Sequence, residues 1–187
     1  MRIIGGNFKG KKIITPSDKS TRPLKDMVRE SIFNIIEHSK NEFVNLDESK
    51  ILDLFSGTGS FGLECLSRGA AKVVFFENNS KPIGILKKNI DILSLNNKSK
   101  IYKKNAYNIS CFDLSNDKFD LIFLDPPFKD NRINLLISEI KKSKISNKKT
   151  VIVIHRNKKN LEKFSNELII LREKNYGLSK IIFGKII

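Results

Sequence analysis

Asp125-Pro126-Pro127-Phe128 is the segment of this chain whose residue types most directly imply chemistry. A carboxylate accepts hydrogen bonds without donating any, and proline offers a carbonyl with no N–H of its own. Two successive prolines stop a strand and stiffen the turn that carries them. The aromatic ring that follows can stack on a base taken out of its helix, a contact worth about 1–3 kcal/mol. Such a set suits an exocyclic amine, whose lone pair stays delocalised until acceptors pull on its protons. Asp125, Pro126 and Phe128 are therefore the candidate catalytic residues.

A second motif, Gly57-Thr58-Gly59-Ser60-Phe61-Gly62, matches GxGxxG. A loop of this kind turns tightly and lets a ligand approach the backbone. Alone it is weakly specific, because NAD enzymes share it. Asp53, shortly before the loop, and Glu77, at the end of the next apolar run, narrow the choice. S-adenosylmethionine carries an ammonium and a sulfonium and no phosphate, so an acid beside the loop attracts it and repels a pyrophosphate. Glu77 is placed to accept both ribose hydroxyls. The two motifs together predict a single in-line methyl transfer to an amino nitrogen, driven by positioning and electrostatics.

The elements around these motifs read as an α/β chain. Strands are predicted at 51–55, 72–77, 100–103, 119–124 and 150–155, with helices from the glycine loop to 68, over 80–93 and over 131–142. Ile83, Leu86, Ile90 and Leu93 share a helical face. Residues 168–187 read as two more strands around Tyr176-Gly177. Strands apolar on both faces, alternating with helices, imply a largely parallel sheet covered on both sides. Ligands then bind at the carboxyl ends of the strands, where both motifs lie. Ahead of this core, residues 1–14 read as a β-hairpin or a pair of edge strands. Thr21 reads as the cap of a helix with Val28, Ile32, Ile35 and Ile36 on one face, and 41–50 as a polar connector. The expected division is an extension, 1–45, packed on a Rossmann-like domain, 46–187.

Lys and Arg number 35 against 20 Asp and Glu, a net charge of +15 and a pI near 9.8. This favours a polyanionic partner, since neutralising phosphates releases condensed counterions. Lysine is abundant throughout, so part of the excess is compositional. Lys9, Lys11 and Lys12, on a glycine-rich segment, and Arg22 and Arg29, around the predicted first helix, are the candidate RNA contacts. The alternatives are a solvated edge strand for the lysines and surface ion pairs with Asp26 or Glu30 for the arginines. No apolar run approaches the roughly 20 residues that span a bilayer, and the first residues show no secretory pattern. A cytoplasmic location is expected. Cys65 and Cys111 form neither a disulfide framework nor a metal cluster. No metal and a monomer are expected.

These residues resemble the RsmD family over nearly the whole chain. The resemblance lies in Arg2-Ile3-Ile4-Gly5-Gly6 with Lys9-Gly10-Lys11-Lys12, in Thr21-Arg22-Pro23, and in Val28-Arg29-Glu30-Ser31-Ile32-Phe33-Asn34. It continues through Leu52-Asp53-Leu54-Phe55-Ser56-Gly57-Thr58-Gly59, Gly62-Leu63-Glu64 and Ser67-Arg68-Gly69-Ala70, and ends in Asp125 to Phe128 and Tyr176-Gly177. What it implies is a class I methyltransferase fold with a seven-stranded, mostly parallel sheet. It also implies methylation of guanine N2 in 16S ribosomal RNA, within the assembled 30S small subunit. Under it Asp53, Gly57 and Gly59 would meet the methionine side of S-adenosylmethionine and Glu77 its ribose, with Phe55 also in contact with the cofactor. Asn105 and Ala106 would meet the adenine. Asn78 departs from the apolar residue that many relatives place against the adenine face.

Other functions share part of this chemistry. Adenine N6 and protein glutamine methylation use the same Asp-Pro-Pro-aromatic logic, and a ribosome-binding module could keep the fold without the reaction. His155 ends a predicted strand near the active edge, where a minor substrate role is open to it, and it receives no assignment.

Overall fold

The structure, a computed structural model, describes residues 1–16, 24, 26–39, 42–111, 114, 118–160 and 162–187. The strands are β1 Lys50–Leu54, β2 Lys72–Glu77, β3 Ser99–Lys103, β4 Leu121–Leu124, β5 Val151–Asn157, β6 Leu168–Tyr176 and β7 Ser179–Ile186. Among the described residues the helices are α1 Asp26–His38, α2 Ser60–Ser67, α3 Ser80–Ile92 and α4 Ile133–Lys142. All seven strands join one sheet in the order β3-β2-β1-β4-β5-β7-β6. Neighbours from β3 through β5 are parallel, whereas β7 runs antiparallel to both β5 and β6. The strand order reverses between β1 and β4, which makes their carboxyl ends the place for a ligand.

Alternation along each strand sends side chains to opposite faces. Ile51, Val73, Phe75, Leu121, Phe123, Val151 and Val153 share one core with α1, α2 and α3. Leu52, Leu54, Val74, Phe76, Ile122, Leu124, Ile152 and Ile154 share the other with α4. The rings of Phe61 and Phe123 stack at 3.9 Å between centroids, locking α2 onto β4. Ile3, Ile13, Leu24 and Val28 are buried in the first of these cores. The amino-terminal segment is thus part of the hydrophobic structure.

Of the two expectations for that segment, the structure is nearer the hairpin than a pair of edge strands, since Ile3 and Ile13 bond across to Lys11 and Met1. Arg2 and Lys12 form a single antiparallel bridge, and a 3-10 turn, Gly6–Phe8, lies between them. The turn is dictated by its neighbour. Gly6 has φ of +72°, and a Cβ there would lie 1.8 Å from the Ser67 carbonyl oxygen. The predicted polar connector carries Phe43, Val44 and Leu46 into the core. The predicted cap Thr21 lies outside the described residues.

Candidate active site

Register brings the site together. Leu54 pairs with Phe76 on β2 and with Leu124 on β4, and Leu124 pairs with Ile154 on β5. The residues that follow these, Phe55, Glu77, Asp125 and His155, therefore emerge side by side at one edge. They line a cleft of about 530 Å³, together with Gly57, Asn78, Asn105, Pro126 and Phe128.

The glycine loop is shaped for close approach. Phe55 has φ of +63°, uncommon for a non-glycine residue, and Gly57 and Gly59 are also left-handed. A Cβ on Gly57 would point into open space, the space a ligand's atoms would take, whereas one on Gly59 would lie 2.3 Å from Leu86 Cδ1. Gly59 thus serves packing against α3 and does not reach the cleft. Ala106 is buried and is not among the residues lining the cleft, while Asn105 lines it and accepts from the Tyr107 amide at 3.1 Å through its side chain.

Asp53 also sits under the loop. Its carboxylate is fully buried, and Oδ2 accepts from the Gly62 amide at 3.0 Å, which ties β1 to the first turn of α2. This hydrogen bond fixes the turn between strand and helix, and Oδ1 is left without a protein partner. Burial pushes the Asp53 carboxyl well above the usual range, and the charges of Asp125 and Glu77 push the same way. Glu77 accepts three backbone N–H groups, from Gly57, Asn78 and Asn79, each at 2.9 Å. A carboxylate offers about four lone-pair sites, so capacity is left for a hydroxyl.

These residues fit S-adenosylmethionine. Asp53 Oδ1 and Ser56 Oγ are buried polar atoms with no protein partner, and Ser56 lines the cleft. Glu77 and Asp125 line the cleft and place negative charge where a sulfonium and an ammonium would lie.

The loop that follows β4 is held from β5, which sequence reasoning missed. Asp125 Oδ1 meets His155 Nδ1 at 2.8 Å. Arg156, fully buried, donates from Nη1 to the Pro127 carbonyl at 3.1 Å and from Nη2 to the Asp130 carbonyl. Its Nε donates to Glu162 Oε1 at 2.6 Å. Asn160 donates to the Phe128 carbonyl at 2.8 Å. No local pattern marks these contacts, because they join residues roughly thirty positions apart. At the rim Arg132 lies 4.0 Å over the Tyr107 ring. Its hydrogen bonds hold the Asp130 carboxyl down to about 2.

The expected basic contacts divide. Arg22 lies outside the described residues. Lys9, Lys11 and Lys12 are exposed, and Lys11 Nζ sits 4.9 Å over the Phe8 ring. The Phe8 amide donates to Ser67 Oγ at the far end of α2, roughly 12 Å along that helix from the glycine loop. Of the two readings of Arg29 the ion pair with Asp26 is the one present, on a buried and not a surface side chain. Its side chain is fully buried and donates to the Arg2 carbonyl, to Asp26 and to Met1 Sδ, with Nε 3.9 Å from Glu64. Glu64 in turn accepts from the amides of Ile4 and Gly5 at 2.8 and 2.7 Å. Arg29 therefore clamps the amino-terminal segment and cannot reach RNA.

Arg29→Met should accordingly lower stability and leave RNA affinity alone. Glu64 keeps Arg68 and two backbone donors, so the loss is that of charged hydrogen bonds, about 2 kcal/mol. Thermal unfolding should shift down by about 4–8 °C. A filter-binding constant changed tenfold at a temperature where the variant is folded would restore Arg29 as an RNA contact.

The sheet order, the glycine loop and the acceptor loop define a class I S-adenosylmethionine-dependent methyltransferase. A family model described as "Conserved hypothetical protein 95" matches residues 1–185, and the chain belongs to the RsmD family. It is 32% identical over 187 residues to the Bacillus subtilis protein YlbH, covering 99% of this chain and 98% of that one. Ribosomal RNA small subunit methyltransferase D of Haemophilus influenzae is 33% identical over 139 residues, 74% of this chain and 69% of that one. The solved structure of Escherichia coli yhhF superposes with a TM-score of 0.82 at 26% identity, covering 100% of this chain and 97% of that one.

Proposed function

We propose that this protein transfers the methyl group of S-adenosylmethionine to the exocyclic N2 of a guanine in 16S ribosomal RNA, working in the cytoplasm on the assembled small subunit. The observation that carries the reading is the placement of Asp125. With Oδ1 engaged by His155, no hydrogen bond occupies Oδ2 among the described residues, and the side chain lines the same cleft as Gly57 and Glu77.

When bound, S-adenosylmethionine supplies a methyl group activated by its sulfonium. The chain's residues prepare the acceptor. Asp125 and the Pro126 carbonyl accept from the amino protons and draw the nitrogen lone pair out of conjugation with the ring. Phe128 stacks on the extruded base and fixes its plane. Asp125 would take up the amino proton that the nitrogen gives up on being methylated. Glu77 and Asn105 orient the donor, and Lys9, Lys11 and Lys12 hold RNA flanking the target.

Small subunits lacking the modification, incubated with methyl-labelled S-adenosylmethionine, should acquire label in N2-methylguanine, mapped by mass spectrometry of the digested RNA. Label in adenine or in a protein glutamine would replace this substrate with another amine. Absence of label from RNA and protein alike would leave only a binding role for the fold.

A further inference from the structure

His155 uses both of its ring nitrogens. Nδ1 lies 2.8 Å from Asp125 Oδ1, and Nε2 lies 2.9 Å from Ser179 Oγ on β7. The ring is only 5% exposed and packs edge-on against Phe128, with centroids 5.2 Å apart and planes at 75°. One side chain therefore touches both the proton acceptor and the stacking platform. The sheet explains why. Parallel pairing of Leu124 with Ile154 sets Asp125 beside His155, and antiparallel pairing of Asn157 with Ser179 brings β7 to the same end.

Chemistry assigns the protons. A carboxylate only accepts, so Nδ1 must donate to Asp125. A neutral imidazole then has Nε2 as its acceptor, and the Ser179 hydroxyl is the donor that satisfies it.

We propose that His155 is a positioning residue for methyl transfer. Held as the Nδ1–H tautomer by Ser179, it fixes the Asp125 carboxylate with Oδ2 turned to the amine, and it braces Phe128 against the base. The activity part rests on the methyl-transfer reading above; the tautomer part does not. His155 acts through Asp125 and Phe128 and takes no proton from the substrate.

Two measurements test this. In the full chain labelled with ¹⁵N-histidine, long-range ¹⁵N–¹H correlations should show His155 as Nδ1–H with an unprotonated Nε2, assigned by loss of the signals in His155→Asn. An Nε2–H tautomer would overturn the assignment. In the transfer assay, His155→Leu should lower kcat by about 10- to 100-fold, the scale of a reacting group displaced by up to an ångström. Affinity for S-adenosylhomocysteine, measured by calorimetry, should not change. His155→Asn keeps an N–H donor near the position of Nδ1 and should restore most of the loss, with Ser179→Ala falling between. Wild-type kcat in His155→Leu, or equal losses in the Leu and Asn variants, would sink the proposal. A wild-type protein that methylates no RNA would defeat the proposed function, and the tautomer would still decide the placement of His155.

Discussion

Asp125→Ala should cut turnover by about 100-fold or more while binding of S-adenosylmethionine persists. Under the proposed function the two effects separate, because the carboxylate would act on the amine while the donor would be held by other residues of the cleft, the glycine loop, Glu77 and Asn105. Its contact strengthens as the amino nitrogen gains positive charge, so its removal falls on kcat more than on either KM. Loss of one such preorganised transition-state partner costs about 10²–10³ in rate. Asp125→Asn should lie between, since its one carbonyl can serve His155 or the amine but not both. Unfolding curves provide the control: the alanine variant leaves His155 Nδ1 without its partner and should be only modestly less stable. Near-full turnover in Asp125→Ala would mean that the amine is activated by another group.

Arg156→Leu should damage stability and rate together, and a second substitution should separate them. The guanidinium is fully buried, with Glu162 on one side and the carbonyls of Pro127 and Asp130 on the other. Removing it strands a largely buried carboxylate, a change that costs about 3–5 kcal/mol. In a domain of this size the unfolding temperature should drop by about 10 °C. The catalytic loop also loses the donor that pins its backbone, so Asp125 and Phe128 drift and turnover falls by roughly 100-fold. Adding Glu162→Leu removes the stranded charge, and stability should return while turnover does not. Recovery of both would reduce Arg156 to a purely stabilising residue.

Much of the architecture was legible because the local pattern is strong. β2 occupies 72–77 as expected, and α3 ends within a residue of its predicted limit. β4 begins at Leu121, two residues later than expected; the Phe119 amide turns to the Ile145 carbonyl, and Asp120 already bonds to Lys50 and Val151 of the flanking strands. Arg29 and Gly6 take their places from partners far along the chain. Gly6 answers a close approach to Ser67 and Arg29 a buried clamp on Glu64, while the lysines of the same segment stay exposed. Neither partner is near in sequence. Asp53 was read correctly as loop-associated, but its depth below the cleft depends on how α2 packs, through the Gly62 amide.

Residue type and spacing alone determined the α/β class, the glycine loop, the acid at the end of β2 and the acceptor loop after β4, since each follows from short-range backbone limits and apolar periodicity. Tertiary structure decided which of these face the cleft and what holds them there. Strand order and register between distant segments put His155 beside Asp125 and Arg156 under the Pro127 and Asp130 carbonyls. Those pairings satisfy buried polar groups that no neighbour along the chain could reach.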